Sequence, residues 1–160
     1  MSYRHAAEQK PIAWVLVGDR ARARIFSTAW PIGDPLEEIE TLVHPESQLR
    51  EHEVRTDGPG QFAEVGSFPH AGEPRTDHRH RTANDFAGLV AERLEKGRVT
   101  NAFGHLVIVA PALYLGALRN ALSSPLSKLV RTEIAKDYTQ LPARELLPLL
   151  LQDPEPIGST

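Results

Sequence analysis

Six consecutive residues, Ile12-Ala13-Trp14-Val15-Leu16-Val17, carry no charged side chain and are apolar on both alternations. Successive side chains of a strand point to opposite faces of a sheet, so such a run must be covered on both sides. It reads as a central strand. A second run of this kind, Leu106-Val107-Ile108-Val109-Ala110, is closed by Pro111. Strands buried on both faces need helical layers around them, and this points to an α/β architecture.

The rest of the chain supplies those layers. Gly18-Asp19-Arg20 makes a tight turn into a second strand, Arg22-Ala23-Arg24-Ile25-Phe26. Leu36 to Val43 reads as a third, with Ile39 and Val43 on one face and Glu38 and Glu40 on the other. Short connections make these three an antiparallel meander. A helix is expected from Asn84 to Lys96, where Phe86, Leu89, Val90, Arg93 and Leu94 recur at helical spacing. Thr82 would be its N-cap, with Asp85 three residues on, and Gly97 its stop. A helix from Ala112 to Leu122 carries Leu115, Leu118 and Leu122, and Ser124-Pro125 reads as the cap and first position of a short helical turn. Val130, Thr132 and Ile134 alternate with Arg131 and Glu133 as a fifth strand. A last helix begins near Pro142, and Pro148 is expected to end or kink it, because its ring obstructs the preceding turn. The order is β-β-β-α-β-α-β-α, a mixed five-stranded sheet with helices packed on it.

The 160 residues suit a single domain over 12–151, with a disordered lead at 1–11 and a flexible tail at 152–160. Between His44 and Arg81 no apolar period is sustained, and the stretch holds Pro45, Pro59, Pro69, Pro74 and five of the seven histidines. A long loop over 44–81 inside a compact domain is uncommon, and such a stretch is functional, disordered or a sign of an unrecognised element. The formal net charge of -3 means that nucleic-acid contact requires a local basic patch. With 0 cysteines, disulfides, thiolate catalysis and thiolate zinc sites are excluded, in keeping with a cytoplasmic location. The polar opening Met1-Ser2-Tyr3-Arg4-His5 has no signal core, and no apolar run approaches the ~20 residues of a membrane helix, so no membrane insertion is expected.

Two sets of residues stand out chemically. Arg20, Arg22 and Arg24 alternate, which on a strand would set them on one face about 7 Å apart, near the spacing of successive phosphates. Either they form a free basic stripe, or Glu38 and Glu40 on the neighbouring strand pair with them. Asp77-His78-Arg79-His80-Arg81 is the second set. Two histidines at i and i+2 can share a metal on an extended backbone, but Arg79 and Arg81 put fixed positive charge beside the cation. The expectation is a solvated loop or a minor basic patch with Arg75, and neither metal nor other cofactor. His105 enters a buried strand and reads as a structural edge residue. Trp14 and Phe26 read as core.

Trp14-Val15-Leu16-Val17-Gly18-Asp19-Arg20-Ala21-Arg22-Ala23-Arg24-Ile25-Phe26 resembles the opening of the bacterial host attachment protein family. Asp57-Gly58-Pro59-Gly60-Gln61-Phe62 resembles that family's Asp-x-Pro-Gly-x-x-Phe loop element. Val107 to Pro111, Leu115 to Arg119, Lys136-Asp137-Tyr138-Thr139 and Leu141-Pro142-x-x-Glu145-Leu146 are similar to its later strand, helix and C-terminal signature. The resemblance implies a sheet similar to the middle domain of eukaryotic-type peptide release factors, which is ribonuclease H-like, and through it a tie to ribosomes and RNA. In those factors a Gly-Gly-Gln loop precedes the first long helix. Gly60-Gln61 falls in the equivalent loop here, with Pro59 in place of the neighbouring glycine and Asp57 just before it. The expectation is a non-enzymatic binding protein acting through ribosome or RNA association, or through a protein partner. The alternative is a release-factor-like hydrolase or nuclease-like enzyme using the 44–81 loop.

Overall fold

The computed structural model describes residues 10–44 and 72–152. Residues 1–9 of the expected lead, the tail beyond 152 and the loop residues 45–71 lie outside them. The described elements are β1 (Ile12–Gly18), β2 (Arg22–Ala29), β3 (Glu37–Val43), α1 (Gly72–Val99), β4 (His105–Val109), α2 (Ala112–Ala121), α3 (Ser124–Ser127), β5 (Val130–Ile134) and α4 (Ala143–Gln152). They build an open mixed sheet in the order β3-β2-β1-β4-β5. β1 to β3 are antiparallel neighbours, while β4 and β5 run parallel to β1.

β1 is the centre of the molecule, as its two-sided apolar run requires: Ala13 to Gly18 are all buried. Trp14, Leu16, Ile25, Leu106 and Ile108 face one core with α1, α2 and α3, where Phe86, Val90, Leu94, Tyr114, Leu118 and Leu126 meet them. Val15, Val17, Phe26, Val107, Val109 and Ile134 face the other, closed by Leu146 and Leu150 of α4. Both faces of the sheet are therefore covered.

Three expectations need correction. First, the helix expected at Asn84–Lys96 runs from Gly72 to Val99, so the last ten residues of the expected loop are helical. Its opening turns are polar, so nothing apolar marks them, and Pro74 is tolerated in a first turn where its missing N–H has no intrahelical acceptor. Thr82 is thus no cap: it is buried in mid-helix, its Oγ1 3.2 Å from His78 Nε2. The buried face is Ala83, Phe86, Ala87, Val90, Leu94 and Gly97, and Leu89 is half-exposed. Gly97 stops nothing; it lies inside the helix beneath the Trp14 and Phe103 rings. Second, α4 continues through Pro148 to Gln152. Pro148 and Arg144, whose carbonyl loses its helical donor, are both exposed, so water can satisfy that carbonyl, while Leu146 and Leu150 hold the helix on the sheet. Third, the pairing of β2 with β3 carries a bulge: Ile25 opposes Glu40 and Phe26 opposes Glu38, leaving Ile39 as the extra residue. One added residue reverses the face of everything beyond it. Glu38 consequently joins Arg24 and Thr41 on the α4 side, while Glu40 joins Ile25 on the α1 side. The bulge separates Glu38 from Glu40, expected to share a face, and Ile39 and Val43 are both half-exposed.

Candidate functional site: an arginine-lined end of the sheet

Asp19 shapes the start of the arginine segment. Its Oδ1 accepts the backbone N–H of Ala21 at 2.8 Å and of Arg22 at 2.9 Å, closing the β1–β2 turn. Arg20 therefore projects from a turn, not from the strand, and the stripe on β2 is two residues long, Arg22 and Arg24.

Those two arginines have different fates. Arg24 is fully engaged in the fold. Its Nη2 donates to Glu38 Oε1 at 3.0 Å and its Nε reaches Glu38 Oε2 at 3.5 Å. Its Nη1 donates to the Thr139 carbonyl at 3.1 Å and to the Leu141 carbonyl. The guanidinium also lies 4.9 Å from the Phe26 ring centroid. Glu38 accepts a further bond from Thr41 Oγ1 at 2.6 Å. These donors, Arg24 first and Thr41 second, hold the Glu38 carboxyl below its usual range. Glu40 is bound on the other side of the sheet by Arg93 at 2.6 Å, and that guanidinium lies over the Trp14 ring. The carboxylates thus pair as weighed from the sequence, but only Glu38 does so with the stripe. Arg22 and Arg20 are exposed, and no ion pair engages either among the described residues.

The carbonyls that hold Arg24 come from the C-terminal signature. Asp137 Oδ1 accepts both the N–H and the hydroxyl of Thr139, at 3.2 and 2.6 Å. Leu141 N–H donates to the Tyr138 carbonyl at 3.1 Å. This double turn lays residues 139–142 over the sheet beside β2. Between them and β3 runs a groove of ≈ 430 Å³ lined by Arg22, Arg24, Glu38, Thr41, Val43 and the 139–142 segment. Nothing near Arg22 in sequence announces Thr41, Val43, Gln140, Leu141 and Pro142 as its neighbours. The signal was the C-terminal signature, whose purpose appears only once folded.

Arg79 and Arg81 are exposed on α1. Gly97 of this helix abuts Trp14 near the start of β1, whereas Phe86 contacts Tyr114 at the start of α2 and His44 just after β3. The helix therefore runs antiparallel to β1, and its first turns project beyond the end of the sheet that bears Arg20 and Arg22. Arg75 is on the same helix, but its side chain lies outside the description. On a helix, His78 and His80 point in opposed directions, so these two cannot share one metal ion. Among the described residues no group of three or more His, Cys, Asp or Glu could hold a metal. Asp57, Pro59, Gly60 and Gln61 lie outside the described residues.

Two further polar side chains are drawn into the packing, His105 partly and Tyr114 almost completely. His105, at the start of β4, stacks on Trp30 with centroids 4.9 Å apart, and its Nδ1 accepts from Arg131 Nε at 2.8 Å. Burial, followed by the Arg131 charge, pushes its pKa down, so it is a neutral structural group. Tyr114 is 1% exposed, and its hydroxyl has no hydrogen-bond partner among the described residues. Burial, with the Asp19 charge, pushes its ionisation far up. A buried, unsatisfied hydroxyl is a net cost, so Tyr114→Phe should raise stability by about 1 kcal/mol in urea denaturation. A loss of stability would reveal a bonded hydroxyl.

The fold is an α/β domain whose exposed Arg20 and Arg22 sit at one end of an open mixed sheet. The family described as protein required for attachment to host cells matches residues 14–150, and the chain belongs to that family. No curated protein matches the chain. Among solved structures, one described as an archaeal protein is 14% identical with a TM-score of 0.45, covering 85% of this chain and 33% of its own. This chain thus spans about a third of that protein's length. Among the described residues no helix is long and apolar enough to cross a membrane.

Proposed function

We propose that this host attachment family member is a non-enzymatic binding protein that engages RNA, with the ribosome as the body presenting it, from a cytoplasmic location. The observation that carries the reading is the placement of Arg20, Arg22, Arg79 and Arg81, all exposed, at one end of a domain whose net charge is -3. Asp19 and Asp85 lie nearby, but Asp19 spends one carboxylate oxygen on the β1–β2 turn. Exposed cations at one end of an acidic protein serve phosphate contact without general polyanion adhesion. The ribosome enters the proposal through the resemblance to the release-factor middle domain expected from the sequence.

The test is anisotropy of a labelled single-stranded RNA across a salt series. Wild type should bind weakly, and affinity should fall with salt as each neutralised phosphate releases counterions. Arg20→Ala combined with Arg22→Ala should flatten the log-log slope by about 1.4, from roughly 0.7 per contact. The circular dichroism spectrum should be unchanged, since both side chains are exposed. Absence of any salt-dependent binding by wild type would sink the reading.

A further inference from the structure

We infer that the groove between β3 and residues 139–142 seats one nucleotide of a single-stranded RNA, its phosphate on Arg22 and its base and ribose against Val43, Leu141 and Pro142. This deepens the RNA reading and rests on it.

The groove is graded in charge along its length. At one end Arg24 and Glu38 neutralise each other, and Arg24 is further held by the Thr139 and Leu141 carbonyls. At the other end Arg22 and Val43 stand opposite each other across β2 and β3, and Arg22 has no ion-pair partner among the described residues. The floor beside this guanidinium is apolar: Val43 is 39% exposed, with Leu141 and Pro142 half-buried along the wall. An unneutralised cation beside exposed aliphatic surface suits a ligand that carries an anion on an apolar ring body. The polar groups between them are the Thr41 hydroxyl, the Gln140 amide and the Glu38 carboxylate. Thr41 spends its hydrogen on Glu38, so both present acceptor oxygens, while Gln140 can donate and accept. Amino groups on a base edge, and the ribose 2′-hydroxyl, are the donors such acceptors take.

Size and strand state follow. A groove of ≈ 430 Å³ is near the lower end of small-ligand sites and holds about one nucleotide. Inside a duplex the base faces are stacked and unavailable, so only an unpaired nucleotide can lay its base here. Arg20, two residues before Arg22, is placed for a neighbouring phosphate. An acidic side chain would also satisfy Arg22, but an ionised carboxylate only accepts hydrogen bonds and offers no donor to the Thr41 and Glu38 oxygens.

The experiment compares a labelled ten-nucleotide RNA with its duplex on the full-length protein, in wild type and in a Val43→Ser, Gln140→Ala double variant. Both positions are exposed, so the fold is retained, and a thermal melt verifies it. Single strand should bind at least about tenfold more tightly than duplex, and the double variant should lose about tenfold for single strand. Its salt slope should be unchanged, because neither position carries charge. Equal binding of single strand and duplex, with the double variant silent and Arg22→Ala still weakening both, would overturn the groove assignment and leave the RNA reading standing. A Glu-rich decapeptide that binds wild type but not the double variant, with RNA affinity the same in both, would overturn it in favour of a peptide. No binding of either RNA would overturn the groove assignment and the RNA reading together.

Discussion

Arg24→Ala should destabilise the protein by about 3 kcal/mol, lowering the melting temperature by about 6–12 °C for a domain of this size. The side chain is 14% exposed and joins three separate parts of the chain: β2, β3 through Glu38, and the 139–141 turn through two carbonyls. Its removal leaves the Thr139 and Leu141 carbonyls without their donor and Glu38 without its partner, and each orphaned group adds a desolvation cost. Arg24→Lys should not restore stability, because an ammonium cannot span a carboxylate and two carbonyls in the guanidinium plane. The acid limb should change as well. The Glu38 carboxyl is depressed in the folded state, so its contribution is fully present above its ordinary value of 4.5 and is lost as pH falls below that. In Arg24→Ala that part of the pH dependence should flatten. Denaturant titrations of wild type and variant at pH 7 and pH 3.5 check both points. A loss under about 0.5 kcal/mol at pH 7 would mean that the three-way contact is dispensable in solution.

The same arginine illustrates how far the sequence could be read. The two-sided apolar runs of β1 and β4 declare themselves, because burial on both faces leaves no position for a charge. The start of α1 did not, since Gly72 to Arg81 have no apolar face to present and their helical state follows from continuity with the packed turns at Ala83, Phe86 and Ala87. The two outcomes weighed for the arginine stripe, free or paired, were each half the answer. Arg24 is paired and Arg22 is not, and the difference lies in partners 115 and 117 residues away, at Thr139 and Leu141. The pairing of Glu40 was equally hidden. It depends on the single extra residue Ile39, and a bulge of one residue leaves no periodic mark while it exchanges which face a carboxylate meets. The groove depends on both of these long-range events, so it was legible only as loose pieces: two arginines and a C-terminal signature.

Two identical substitutions on α1 should have opposite effects. At Gly88 an added Cβ would meet nothing within 4 Å, so Gly88→Ala should stabilise by about 0.5–1 kcal/mol through helix propensity alone. At Gly97 the same Cβ would stand 2.7 Å from Trp14 Cη2 and Cζ3 and 2.8 Å from Phe103 Cε1. Those contacts are closer than carbon atoms tolerate, and the rings have little room to yield. They stack on each other with centroids 4.5 Å apart, and Arg93, itself tied to Glu40, lies 5.2 Å from the Trp14 ring. Forcing one methyl into such packing typically costs about 1–3 kcal/mol, on the scale of or larger than the propensity gain of about 1 kcal/mol. We therefore expect Gly97→Ala to destabilise by up to about 2 kcal/mol net, and a bulkier Gly97→Val to do so further, since β-branching adds volume at the same point. The missing side chain at Gly97 is what lets α1 approach the sheet closely enough for Ala83, Ala87 and Val90 to pack, which also sets where its arginine-bearing first turns emerge. Chemical denaturation of the two alanine variants side by side measures the ring contact with helix propensity held constant. If Gly97→Ala is stabilised as much as Gly88→Ala, the Trp14–Phe103 pair yields without cost, and the close approach of helix to sheet is not set by this glycine.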